Sequence, residues 1–288
     1  MTNLRIGLIF PEVSSSEYES YFNLATKQII SNTQFPESTC IPLEKSQLFS
    51  ALENDEVDVV VTNLEHAPYL VPQNCRYIGL LENKQNNPFL LVPENQYAAS
   101  EDLKMLPGTV VGVPDEISGY QLNYLNVDIN FKVTDTTTLH NPDLWSDHDI
   151  QAALYLSPAN NQTKEQLPFM TIPLHPGEFL PTPGTGKIVF AVHRESLAVS
   201  RFIFDTFHTP GLPAVSNTER KIALHFTGRD HLIIKTYCRK DERNNFHLKA
   251  GIIDLRQKKY LQHTMSQSTH FKLAEKMTDV LESLCNLS

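Results

Sequence analysis

Three short stretches of the chain hold residue types that could carry chemistry. Asp147-His148-Asp149 has the make-up of a metal or acid/base site and is read as a surface loop. Gly184-Thr185-Gly186 could let backbone N–H groups approach a phosphate. No Lys-Ser/Thr follows it, as a phosphate-binding loop requires, so it is read as a hinge. Thr62-Asn63-Leu64-Glu65-His66 sets a carboxylate beside an imidazole directly after an apolar run. Taken alone, Glu65 is a solvated loop charge and His66 a polar loop residue. The 11 histidines form no HxxxH pattern and pair with no cysteine at ligand spacing, so no metal site is expected. No GxSxG nucleophile elbow is present. Cys40, Cys75, Cys238 and Cys285 lie far apart without a CxxC and read as reduced thiols.

The elements that must position these residues are legible in part. Leu4 to Phe10 reads as a strand. Glu17 to Ile30 has apolar residues on one helical face, with Ser14 to Ser16 as caps. Leu48 to Leu52 is a short helical piece, and Val57 to Val61 is a continuous β-branched run of the kind buried in parallel sheets. A turn at Leu106-Pro107-Gly108 precedes a strand at Thr109 to Val113 and a helix at Ile117 to Leu125, so a second βα unit opens near residue 105. Asp135 to Asp149 is polar and loop-like, and Leu154 to Leu156 is a weak strand. Leu167 to Gly186, with five prolines and three glycines, is a crossover. Lys187 to His193 is a strand and Leu197 to Phe207 a helix. The tail offers a helix at Thr218 to Phe226 and strands at His231 to Tyr237, Phe246 to Asp254 and Lys258 to His263. Phe271, Ala274, Met277, Leu281 and Leu284 then mark an amphipathic helix. Alternating strands and helices make the first part α/β, and the tail a small α+β domain.

The 288 residues suit two or three domains. Against 33 acidic residues stand 24 Lys and Arg, a formal charge of -9 that argues against a nucleic-acid partner. The run Arg256, Lys258, Lys259, with Lys249 upstream, reads as a strand end and turn. No apolar stretch approaches a membrane span, and the start lacks a signal-peptide pattern. With scattered thiols this gives the expectation of a cytoplasmic protein without a membrane partner.

Five blocks in order carry a resemblance. They are Arg5-Ile6-Gly7; Ala51-Leu52 through Val57 to Val61 and on to Asn63, Leu64 and Pro68; Glu101 to Gly112; Leu180 to Gly186; and Glu219-Arg220 with Gly228 eight residues on. Together they resemble the porphobilinogen deaminase (hydroxymethylbilane synthase) family. The resemblance implies two type II periplasmic-binding-protein-like α/β domains around a cleft and a small C-terminal α+β domain. In this chain the divisions fall at 1–94 with 185–212 for domain one, 95–184 for domain two and 213–288 for domain three.

The family's chemistry, condensing four porphobilinogens with loss of ammonia, is not matched residue by residue. The catalytic Asp position holds His66, and the Lys, Ser and His before it are Glu65, Asn63 and Thr62. The paired arginines fall on Ile117 and Ser118, the first-strand arginine on Ile9, and the Arg-rich loop on Thr134 to Asn141. The cysteine that carries the dipyrromethane cofactor falls on Asp230, so no cofactor is expected; Cys238 reads as a packed strand thiol. The first expectation is therefore a catalytically degenerate, deaminase-like protein, a pseudoenzyme of tetrapyrrole biosynthesis that keeps its cleft for a small ligand or a protein partner of unknown kind. The alternatives are an active hydroxymethylbilane synthase with atypical residues, and a solute-binding-type module unrelated to tetrapyrroles. Without the arginines the cleft should be neutral or acidic, favouring a small neutral or cationic ligand. Its candidate side chains are Asn63, Glu65, His66, Asp115 and Ser118, with Gly184 and Thr185 of the hinge between them.

Overall fold

The computed structural model describes residues 3–9, 38–82, 87–156 and 169–286. The helix expected over 17–30 and its serine cap lie outside them. Two five-stranded mixed sheets and one three-stranded antiparallel sheet make up the described part, a mixed α/β architecture of the type II periplasmic-binding-protein kind. The chain divides into two compact units, Met1–Lys84 with Gly184–Leu224, and Gln85–Pro183 with His225–Ser288.

The first unit's sheet runs β2-β1-β3-β10-β4, with β1 Arg5–Ile9, β2 Thr39–Leu43, β3 Val59–Asn63, β4 Cys75–Glu82 and β10 Lys187–His193. β1 is parallel to β2 and β3, while β10 runs antiparallel between β3 and β4. Both faces of the sheet are covered, which is why Val59, Val60 and Val61 are all apolar. Val59 and Val61 join Ile6, Leu8, Phe190 and Ile203 beneath α4 (Leu197–Phe207), and Val60 packs with Leu48 and Leu52 of α1 (Leu48–Glu53). Each large apolar side chain so buried stabilises the fold by roughly 1.5–3 kcal/mol. The Arg5 guanidinium grips the Asp58 carboxylate at 2.9 and 3.2 Å, tying β1 to the start of β3. α5 (Leu212–His225) completes the unit.

The second sheet runs β7-β6-β8-β5-β9, with β5 Phe89–Pro93, β6 Val110–Val113, β7 Asn130–Val133, β8 Ala152–Tyr155 and β9 Phe169–Pro173. β6 is parallel to β7 and β8, and β5 is antiparallel to β8 and β9. Strand for strand this repeats the first sheet: a second, a first and a third parallel strand, then an antiparallel strand, then the last. The first strands even share a central glycine. A Cβ on Gly7 would lie 3.0 Å from Leu43, and one on Gly112 3.0 Å from Leu139. The repeat is one of topology, and no sequence repeat accompanies it.

α2 (Glu116–Leu125) covers one face of this sheet through Leu122. The other face is covered by the stretch expected to be loop. There Asp135 caps α3 (Thr136–His140) by accepting from the Thr138 N–H at 3.0 Å and hydroxyl at 2.8 Å, and two 3-10 turns follow. Leu139, Trp145 and Ile150 bury there, with the Trp145 indole N–H donating to the Thr138 carbonyl at 3.2 Å. Sparse apolar residues concealed a core contribution in a polar sequence. The three-stranded sheet, β11 Leu232–Lys240, β12 Phe246–Asp254 and β13 Lys259–Gln267, carries α6 (Leu273–Asn286) and makes the small α+β part. Leu273, Met277 and Leu281 are buried, whereas Phe271 precedes the helix and is exposed.

Two expected boundaries fall elsewhere. Phe89–Pro93 pairs within the second sheet, ahead of residue 95, because its mates β8 and β9 are there. α5 begins at Leu212, and the first unit holds the chain through Leu224 rather than 212; Pro213 sits in the first helical turn, where a missing N–H is harmless. The proline-rich crossover also contains a strand, β9. It lies at the sheet's edge, where proline is tolerated.

Candidate functional site

In both five-stranded sheets the order 2-1-3 reverses at the first parallel strand. The crevice outside the carboxyl ends of strands at such a reversal is the usual ligand position in open α/β sheets. In the first unit β3 ends there on Asn63, and Glu65 and His66 follow. Asn63 is 1% exposed, and neither its amide N nor its amide O has a hydrogen-bond partner among the described residues. The neighbouring Thr62 hydroxyl is in the same state. A buried amide left unpaired costs about 1–3 kcal/mol, and such exceptions concentrate where a group is kept for another purpose.

Glu65 and His66 diverge. The Glu65 carboxylate accepts a short hydrogen bond from the Thr185 hydroxyl, while His66 is exposed with its ring Nδ1 3.4 Å from the Lys45 ammonium. The hinge glycine is required by its surroundings. Gly184 has φ +93°, and a Cβ there would lie 3.1 Å from the Glu65 nitrogen. Asn63, Glu65, Gly184 and Thr185 thus belong to one loop pair of the first unit, with His66 turned outward. Ile9 ends β1 at the same reversal.

Behind these loops stands a buried charged group that spacing alone did not single out. Glu219 and Arg220, neighbours on α5, are 2% and 6% exposed. The Glu219 carboxylate accepts from the Lys187 ammonium at 2.5 Å and from the Gly184 N–H at 3.2 Å. The Arg220 guanidinium donates to the carbonyls of Leu64 (2.7 Å), Ala67 (3.2 Å) and Pro68. Its centre lies 5.0 Å from the Tyr69 ring and 5.6 Å from the Tyr77 ring. Burial draws Arg220 below its ordinary value, with Tyr77 and Tyr69 opposing, and burial pushes Tyr77 up to about 12. One helix therefore holds both loops: Glu219 fixes 184–187, and Arg220 fixes 64–68. The Glu219-Arg220 pair was visible only as part of the family resemblance.

In the second unit Asp115 is the N-cap of α2, accepting from the Ser118 N–H at 2.7 Å at the carboxyl end of β6. Ser118 is buried, and Ile117 beside it is half-buried. Thr134 to Asn141 is mostly the capped helix α3, with His140 stacked on Tyr155 at 5.0 Å. Asp147-His148-Asp149 forms a 3-10 turn whose end, Asp149, is 3.9 Å from Lys132; among the described residues no group of three His, Cys, Asp or Glu could hold a metal ion. Asp230 lies on a turn before β11, and Cys238 is buried on that strand.

A chain of polar contacts in the three-stranded sheet had no sequence signal. Ser266 and His247 face each other across β12 and β13, with hydroxyl and ring Nδ1 2.8 Å apart, and His247 Nε2 is 2.9 Å from Asp241. His247, then the Asn245 N–H, hold the Asp241 carboxyl down at about 2.

No family model matches the chain, and no curated protein matches it. Among solved structures, YhfZ from Shigella flexneri is 13% identical over 78% of this chain and 97% of that one, with a TM-score of 0.43. The probable amino-acid transporter extracellular-binding protein ytmK from Bacillus subtilis is 14% identical over 79% and 98%, also at 0.43. An ancestral cationic amino-acid solute-binding protein is 10% identical over 76% and 94%, at 0.42. At these values the likenesses carry no weight for function, and the architecture rests on the strand order described above. Nothing among them points to the porphobilinogen deaminase family itself.

Proposed function

We propose that this chain is a ligand-binding protein of the solute-binding type, without catalytic activity, and that its ligand is small and neutral or cationic. The observation that carries this is Asn63, a fully buried amide without a partner among the described residues, at the carboxyl end of β3 where the strand order reverses. Glu65, on the loop that follows β3, favours a cation over an anion there. Among the candidate positions none is an arginine, so a polycarboxylate would find few charge-assisted donors. The same features weigh against the deaminase readings, and Asp230, standing where the family carries a cysteine, supports a chain without covalent cofactor.

Calorimetric titration with L-arginine, L-glutamine and porphobilinogen tests the proposal. Saturable binding of arginine or glutamine, weakened by Asn63→Leu, is expected. Micromolar binding of porphobilinogen that falls steeply with salt would overturn it. So would an added mass of two pyrrole units on protein expressed alongside the enzymes that make porphobilinogen.

A further inference from the structure

A pocket opens in the first unit, between α5 and β4. It holds ≈ 100 Å³, several times what one water needs. Its polar side consists of Arg220, Asn217 and His208, and its apolar side includes Leu64, Ile78 and Leu80. Arg220 is 6% exposed, and no carboxylate pairs with it among the described residues. Three of its hydrogen bonds go to neutral carbonyls, and two tyrosine rings share its charge. The Tyr77 hydroxyl is a fourth hydrogen-bond partner, which leaves one of the five guanidinium N–H donors. His208 contributes its ring to the lining, stacked on Phe204 at 4.4 Å.

Buried charges are normally paired. Here a buried cation and an amide share one small space that Leu64, Ile78 and Leu80 also line. The geometry points to a binding site for a short-chain monocarboxylate, its carboxylate on Arg220 and Asn217 and its alkyl end on Leu64, Ile78 and Leu80. The site is distinct from the one proposed at the strand-order reversals and has the opposite charge preference. Because Arg220 also holds the carbonyls of Leu64, Ala67 and Pro68, an anion here would draw on the same guanidinium that fixes the loop after β3.

Saturation-transfer NMR and thermal shift with sodium butyrate test this, with inorganic phosphate as comparison. Butyrate should bind saturably in the millimolar range or below, and phosphate should not compete with it. Asn217 is exposed on the pocket rim, so Asn217→Phe plugs the space without entering the core and should weaken binding at least about tenfold, roughly 1.4 kcal/mol. Asn217→Asp, which sets a like charge against the carboxylate at the same exposed position, should weaken it as well and stands in if the first variant fails to fold. Absence of butyrate binding, preference for phosphate, or binding unchanged in a folded variant would each overturn the assignment. Both substitutions leave Asn63, Glu65 and Asp115 in place, so failure here is separable from failure of the arginine and glutamine titrations.

Discussion

Glu219→Gln tests the buried ion pair that supports the hinge. The substitution keeps the shape of the side chain and an acceptor for the Gly184 N–H, but it removes the charge opposite Lys187. Only 11% of the Lys187 side chain is exposed, and 3% of Glu219. Removing one partner of such a pair costs about 3–5 kcal/mol, since the remaining charge stays buried. The expected loss is therefore about 3–5 kcal/mol at pH 7, measured by urea unfolding with far-UV circular dichroism. Amide exchange should place the weakening in β3 and β10. Lys187→Met added to Glu219→Gln should recover much of the loss. A loss below about 1 kcal/mol, or a double variant no better than the single, would refute the reasoning.

Gly184→Ala should destabilise by about 1–3 kcal/mol in thermal unfolding, because φ is +93° and the added methyl meets rigid backbone at Glu65. Gly251→Ala should cost about as much by overpacking, since its Cβ would lie 2.3 Å from the Tyr260 hydroxyl; Tyr260→Leu in the same chain should relieve it. Asp241, held down at about 2, contributes stability that is full above about pH 4, the unfolded value, and is lost as pH falls through about 2. Acid unfolding of Asp241→Asn should therefore differ from the parent above that window and converge with it at lower pH.

The legible parts of the fold were those where one element dictates its own environment. Val59 to Val61 and Ile188 to Val192 are apolar at every position because both faces of their sheet are covered, and no alternating pattern competes. Five strands escaped. β2 and β9 are edge strands interrupted by proline, β5 is short and ends on Pro93, β7 is a four-residue edge strand with one lysine and little burial, and β4 mixes Arg76 and Glu82 with apolar residues. α3 escaped because its cap and buried indole, not apolar periodicity, hold it. Position along the chain could only nominate Asn63, Glu65, Asp115 and the hinge as candidates. Their supports were hidden, since Glu219 meets Lys187 across 32 residues and Arg220 meets Leu64 across 156. Contacts of that range leave no local spacing to read.

The antiparallel strand in the first sheet also bears on how the chain acquires its structure during synthesis. All five strands of the second sheet lie between Phe89 and Pro173, so that sheet is encoded contiguously. The first sheet is not: Asn63 of β3 must wait for Ile188, 125 residues later, before its ladder closes. At about 5–20 residues per second that is roughly 6–25 s of elongation with β3 exposed along one edge. The apolar run at Val59 to Val61 is then an aggregation hazard in the nascent chain, although it is buried in the finished one. Vectorial folding would complete the sheet of β5 to β9 first and that of β1 to β4 with β10 last, and a chain stalled before residue 187 would present an open, sticky strand to the cell's chaperones.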